Sequence, residues 1–334
     1  MVQDKELSSS NEKTSWSKVL WAIKLIVTAL IISYIYSTFK NEQKGIYDIS
    51  KVFSRIIVLE NMPVIATILV LVPINWALES KKWQILVQKV FPVPFREAFR
   101  GTITGLAVGV AAPAQLGDTI GRVAALRSDK RLEAIGAAIV SNGIQFYVSL
   151  IAGAAAWLLL QDSMPLPQSS KPIISTGLCL LTALGWIVVG SRKRMLNWHA
   201  ENPLLQKIIS YVRIMGTYTG AELLYATSCG LLRYFVFLTQ FVLALSLFNF
   251  PLTLSTLAAC VALIFLAKTI IPAINVLGDL GLREFTALFV FKQYNLPAEE
   301  IITATFLVWI INVMAPILIG IYLIWKYKWN VKND

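Results

Sequence analysis

Long apolar runs separated by short polar loops dominate the chain from end to end. A helix needs about 20 apolar residues to cross the hydrocarbon core of a bilayer. Runs close to that length predict helices at 16–37, 62–80, 133–160, 172–190, 222–248 and 299–325, and two interrupted helix pairs at 99–127 and 252–292. The pattern therefore predicts an all-α polytopic membrane protein.

The two interrupted runs share glycine and proline at the interruption. The first reads GLAVGVAAPAQLGD and the second reads KTIIPAINVLGD. Backbone groups freed at such a break find no partners in lipid, so they must face protein or a water-filled cavity. We therefore expect each run to form a re-entrant helical hairpin, with its break or helix cap at Pro113, Gly117, Pro272, Gly278 and Gly281.

A short charged motif occurs once in each interrupted run. LGDTIGR and its second copy LGDLGLR place an aspartate and an arginine four residues apart, on one face of a helix. The pairs are Asp118 with Arg122 and Asp279 with Arg283. Each aspartate suits a helix start, where its side chain accepts backbone N–H groups, and each arginine would then neutralise its own aspartate.

The alternative interpretation is that the arginines bind an anionic headgroup. An arginine near the bilayer centre costs on the order of 3 kcal/mol, and ionisable residues there are functional by default. The planar guanidinium also holds phosphate oxygens bidentately. We predict that Arg122 and Arg283 contact a phosphate-bearing substrate. Further substrate-binding candidates are Asp118, Asp279, Glu284, Lys268, Arg233 and Glu222.

Loop charges predict the orientation of the chain. Lysine and arginine are concentrated in both tails and in the loops after the second and fifth apolar segments, and such loops stay in the cytoplasm. The sequence therefore predicts cytoplasmic tails at 1–15 and 327–334 around a single transmembrane domain at 16–326. With both termini inside, the halves at about 62–160 and 222–325 form an inverted repeat whose hairpins meet near the bilayer midplane.

Composition narrows the class of function. The chain is 56 % hydrophobic and 15 % charged, with a mean hydropathy of +0.65, which is far more apolar than a soluble domain. The net charge of +11 lies in loops beside apolar runs, so it argues against nucleic-acid binding. The single histidine, His199, offers no histidine-based metal site, and we expect neither a metal nor another cofactor.

The motifs resemble those of the transmembrane domain of lysylphosphatidylglycerol synthase/flippases and its stand-alone bacterial and archaeal relatives. The resemblance covers about residues 16–325 and rests on KKW after an early helix, on the later LGDLGLRE, and on Pro113, Gly117, Asp118 and Arg122. It implies translocation of an anionic phospholipid, an aminoacylated phospholipid or a polyprenyl-phosphate carrier between leaflets. It does not imply lysyl transfer, which in the family belongs to a large soluble domain.

We therefore expect a lipid flippase, and not an enzyme, in a prokaryotic cytoplasmic membrane. Its expected partner is a membrane lipid with a phosphate headgroup, and a second copy of the chain and a separate lipid-modifying enzyme stay open as protein partners. The alternatives are a membrane-embedded glycosyltransferase with a lipid-phosphate donor, an ion-coupled carrier of small anions, and a non-transporting scaffold. No Walker-type loop occurs in the sequence, so we expect downhill or ion-driven transport.

Overall fold

The computed structural model describes residues 56–109, 116–271 and 282–326, together with the isolated positions 25, 26, 29, 33 and 54. These residues fold into helices joined by short loops, and no strand occurs among them. The all-helical architecture predicted from the apolar runs is confirmed. Most of the predicted first helix and the breaks in both interrupted runs lie outside the described residues.

The helices follow the predicted segments, and each interrupted run contains two of them. In chain order the described helices are α1 (Met62–Val87), α2 (Phe95–Gly109), α3 (Leu116–Ala124), α4 (Ile135–Leu160), α5 (Ser170–Ser191), α6 (Pro203–Thr217), α7 (Gly220–Ser246), α8 (Leu254–Ile270), α9 (Leu282–Phe291), α10 (Ala298–Trp309) and α11 (Ala315–Lys326). A π-helical turn at Ile310–Met314 joins α10 to α11. Short 3-10 turns lie at Leu59–Asn61, Asp129–Ala134, Arg192–Asn197 and Lys292–Tyr294.

Several of these helices have the length and composition of membrane spans. The described stretches that are long and apolar enough to cross a membrane are Leu59–Val87, Asp129–Leu160, Ser170–Asn197, Gly220–Ser246 and Ala298–Lys326. The helix α8 is also apolar but has only 17 residues. The chain is therefore a multi-pass membrane protein with several transmembrane helices.

The helix predicted at 62–80 is longer in the structure than in the prediction. It continues to Val87 because its polar second half, which includes Glu79 and Lys82, is buried against other helices. In the sequence, the same polar residues look like the start of a loop at the membrane surface. The extension places Lys82 in the interior of the protein, one turn after Glu79.

Sequence signals at the helix starts match the observed ends. Pro63 lies in the first turn of α1, where its missing N–H leaves no hydrogen bond unmade. The helix α7 begins with a capping box in which Thr219 Oγ1 accepts the N–H of Glu222, and the Glu222 carboxylate accepts the N–H of Thr219. These local contacts fix where α7 starts, and so which of its residues face α1.

Glycines allow α2 and α3 to pack closely. A Cβ at Gly105 would lie 2.7 Å from both Arg122 Cγ and Asp118 Oδ1, and one at Gly121 would lie 2.8 Å from the Cα of Gly105. Stripes of small residues let membrane helices approach to backbone contact. The stripe on α2 recurs every four residues and consists of Gly101, Gly105 and Gly109. It holds the side chains of the first charged motif directly against α2.

The neighbours of each helix repeat between the two predicted halves. The first helices of the halves, α1 and α7, pack along each other. The helix α2 packs on α11, and its counterpart α8 packs on α4, so each interrupted run contacts the last helix of the other half. These contacts in one half thus have corresponding contacts in the other half.

The buried apolar side chains form two clusters. The larger one joins α4, α7, α8, α9 and α10 around Phe241, Phe265 and Phe291. The smaller one joins α1, α2, α3, α4 and α7 around Trp83 and Leu86. The smaller cluster borders the buried charges, because the guanidinium of Arg122 lies 5.9 Å from the centre of the Trp83 ring.

Candidate functional site

Five ionisable side chains meet inside the helix bundle, and we call them the charge cluster. Burying ionised groups is costly unless they are paired, so a cluster of this size is a specific feature of the fold. Its side chains are at most 3 % exposed at Glu79, Lys82 and Arg122, and 22 % exposed at Arg233. The members are Glu79 and Lys82 from α1, Asp118 and Arg122 from α3, and Arg233 from α7.

Glu79 is the centre of the charge cluster. Its Oε2 lies 2.9 Å from Lys82 Nζ and 3.1 Å from Arg233 Nε. Its Oε1 lies 2.8 Å from a terminal nitrogen of Arg122. One carboxylate thus receives three cations, and these come from α1, α3 and α7.

Arg122 links the first charged motif to this carboxylate. Its Nε donates to both carboxylate oxygens of Asp118, at 2.8 and 3.0 Å, and its Nη2 pairs with Glu79. Its Nη1 is buried and has no hydrogen-bond partner among the described residues. The predicted pairing of Asp118 with Arg122 is present, but Arg122 also binds beyond its own motif and keeps one donor available.

Lys82 connects the cluster to a fourth helix. Its ammonium donates to Gln145 Oε1 of α4 at 3.3 Å, in addition to its ion pair with Glu79. In their ordinary ionised forms, the three cations and two carboxylates of the cluster leave a net charge of +1. A site with an excess buried cation and an available guanidinium N–H is suited to bind an anion.

In the second charged motif, the described contacts are those of Arg283 and Glu284. Arg283 and Glu284 are both buried, and the Arg283 guanidinium donates to the Glu284 carboxylate. Arg283 also lies over the ring of Trp309, at 5.7 Å from its centre. Arg122 over Trp83 is the matching arrangement in the first half.

The remaining predicted site residues lie in several places. Lys268 is partly buried in the last turn of α8. Gly117 packs against the backbone of α2, where a Cβ would collide with the Val108 carbonyl. The positions outside the described residues are Pro113, Pro272, Gly278, Asp279 and Gly281.

Glu222 belongs to a separate contact at one end of the bundle. It pairs with Lys89 at 3.1 Å, with both side chains about one-third exposed at 31 % and 34 %. Nearby, the Tyr218 hydroxyl donates to the Leu86 carbonyl at 2.9 Å, and burial raises the pKa of this tyrosine. Glu222 and Arg233 share α7, yet Arg233 contacts Glu79 of α1, whereas Glu222 contacts Lys89 in the turn that follows α1.

Sequence reasoning missed Glu79, the residue with the most ionic contacts in the cluster. Its motif, ESKKW, was counted among the charged residues on the cytoplasmic side of the second predicted helix. One readable signal was its spacing of three from Lys82, which places the two on one helix face. The partners from α3 and α7 carry no such signal, because only tertiary packing brings them to α1.

The helices define a polytopic α-helical membrane protein, and the buried charge cluster is its candidate functional centre. The chain belongs to the lysylphosphatidylglycerol synthase transmembrane-region family, whose model matches residues 21–320. The resemblance inferred from the motifs is thereby confirmed. No curated protein and no solved structure matches the chain.

Proposed function

We propose that this protein moves a phosphate-bearing lipid between the leaflets of the membrane. The observation that carries the proposal is the charge cluster, with its net charge of +1 and the free Nη1 of Arg122 among the described residues. A monoanionic phosphodiester would neutralise the cluster and accept this N–H. Membership in a family named for a lipid-modifying membrane region supports a lipid as the source of that phosphate.

The repeated packing supports a transporter architecture. In many transporters two inverted halves meet at a substrate site built from discontinuous helices. Here α2 with α3 and α8 with α9 are the discontinuous pairs, and each packs on the other half. We infer that they are re-entrant hairpins, that the halves are inverted, and that both termini lie in the cytoplasm.

The two motif arginines are proposed to act on the same lipid. Arg122 and Arg283 occupy the same offset in corresponding hairpins, and each lies beside a tryptophan. Their headgroup would be held from opposite sides, by Arg122 with the charge cluster and by Arg283 with the second hairpin. The expected cargo is an anionic phospholipid, an aminoacylated phospholipid or a polyprenyl-phosphate carrier.

The test is a leaflet-exchange assay in proteoliposomes containing the purified full chain. Fluorescent phosphatidylglycerol is the probe, fluorescent phosphatidylcholine is the comparison lipid, and dithionite added outside quenches the outer leaflet. We expect the wild type to expose inner-leaflet phosphatidylglycerol well above protein-free vesicles, and Arg122→Gln to lose this activity. The matched control is Arg96→Gln, which removes an exposed arginine from α2 and leaves exchange intact. Equal exchange by Arg122→Gln and the wild type would contradict the proposal.

A further inference from the structure

The two carboxylates of the charge cluster have different kinds of partners. Asp118 pairs with Arg122, four residues along its own helix. Glu79 pairs with Arg122 of α3 and Arg233 of α7, as well as with Lys82 of its own helix. Asp118 is therefore a local partner, whereas Glu79 is the anion on which separate helices converge.

The convergence on Glu79 has the chemistry of a phosphate site. A carboxylate and a phosphodiester each share one negative charge between two oxygens, and both bind the same guanidinium and ammonium donors. The two Glu79 oxygens each bind a cation from another helix, as two phosphate oxygens would. Arg122 keeps Nη1 without a described partner, and Arg233 is the most exposed of the three cations. An incoming anion would reach Arg233 first and then the buried N–H of Arg122.

We propose that Glu79 is an internal substitute for the substrate phosphate, an assignment that rests on the proposed function. In the substrate-free protein its carboxylate holds Lys82, Arg122 and Arg233 together and prevents their mutual repulsion. An entering headgroup displaces the carboxylate from Arg122 and Arg233 and takes its place. When the headgroup leaves, Glu79 returns, so the same residue lowers affinity and promotes release.

This role predicts a change that a purely structural residue would not cause. Glu79→Gln keeps the size of the side chain but removes the competing charge, so phosphate-bearing ligand should bind more tightly and leave more slowly. Lipid exchange should therefore slow while affinity rises. If Glu79 only supports the fold, its replacement should weaken binding and slow exchange together.

The experiment measures binding by the purified full chain in detergent. The probes are dioctanoyl phosphatidylglycerol, dioctanoyl phosphatidylcholine and inorganic phosphate. We expect Glu79→Gln to lower the Kd for phosphatidylglycerol about tenfold or more, since a charge within contact distance shifts ionic equilibria by about one to three log units. Asp118→Asn is the charge-matched comparison, because it removes the same charge from the same cluster. We expect it to lower the Kd clearly less than Glu79→Gln does, because Asp118 contacts Arg122 alone, whereas Glu79 contacts all three cations.

The outcomes separate this inference from the proposed function. Phosphatidylglycerol binding by the wild type without preferential tightening in Glu79→Gln would overturn the substitute role and leave lipid transport in place. If Glu79→Gln binds inorganic phosphate more tightly than the wild type, but neither protein binds either phospholipid, the substitute role is retained and lipid transport is overturned. If Glu79→Gln does not fold, Glu79→Asp provides the test, because it keeps the charge and shortens the side chain by one methylene. A Kd below that of the wild type supports the role, and an equal or higher Kd overturns it.

Discussion

Two ion pairs in very different surroundings join α7 to α1 and to the turn that follows α1. Glu79 and Arg233 meet inside the bundle, where Glu79 is 3 % exposed, whereas Lys89 and Glu222 meet at its end with about one-third of each side chain exposed. An exposed pair contributes about 0–1 kcal/mol because solvent and salt screen it. A buried pair cannot lose one member without leaving an unpaired charge. The exposed ion pair therefore adds little stability at the end of the bundle. The buried ion pair belongs to the candidate binding site.

The largest expected loss of stability tests whether the charge cluster carries a net positive charge. Glu79→Gln raises the net charge of the cluster to +2, whereas Lys82→Met lowers it to zero and leaves both carboxylates paired with arginines. We expect Glu79→Gln to cost about 3–5 kcal/mol of unfolding free energy and Lys82→Met to cost clearly less. Thermal melting of both variants in one detergent measures the difference. A lower melting temperature for Lys82→Met would show that the cluster carries no surplus positive charge.

A smaller loss of stability is expected when the close contact between Gly105 of α2 and the helix α3 is disturbed. A Cβ at Gly105 would collide with Arg122, with the Asp118 side chain and, at 2.9 Å, with the Asp118 carbonyl. We expect Gly105→Ala to destabilise the protein by about 1–3 kcal/mol, in the range of overpacked cores. The matched control is Gly143→Ala on α4, where a Cβ meets nothing within 4 Å. Equal melting temperatures for the two alanine variants would refute the close packing of α2 on α3.

The smallest effect is expected at the exposed pair. Lys89→Gln removes the partner of Glu222, but the Glu222 carboxylate keeps its capping hydrogen bond to the N–H of Thr219. We expect a loss of at most about 1 kcal/mol. The difference from the wild type should shrink in about 1 M salt, where the screening length is only about 3 Å. A loss that is large and independent of salt would remove the contrast between the two regions.

The sequence predicted the helices well because long apolar runs determine where membrane helices form. It placed the end of α1 too early because the neighbouring Lys81 and Lys82 have the composition of a loop, although tertiary contacts bury Lys82. The stripe containing Gly105 was visible in the sequence as a spacing of four, but its partner helix was not.

The first charged motif was predictable in part. The spacing of Asp118 and Arg122 correctly predicted their pairing, because four residues place two side chains on one helix face. The sequence also named Arg233 as a candidate site residue, but it gave no partner for this residue. The structure gives Arg233 to Glu79, a contact between residues 154 positions apart that no local pattern encodes.

The central claim is that Arg122 binds the phosphate of a lipid and does more than neutralise Asp118. The most direct measurement compares phosphatidylglycerol exchange by Arg122→Gln, by Asp118→Asn combined with Arg122→Gln, and by Arg122→Lys, with melting curves to verify folding. We predict that the single and double neutral variants are equally inactive, and that lysine restores activity only in part because it lacks the bidentate fork. Restored exchange in the double neutral variant would contradict the claim and leave Arg122 with a structural role alone.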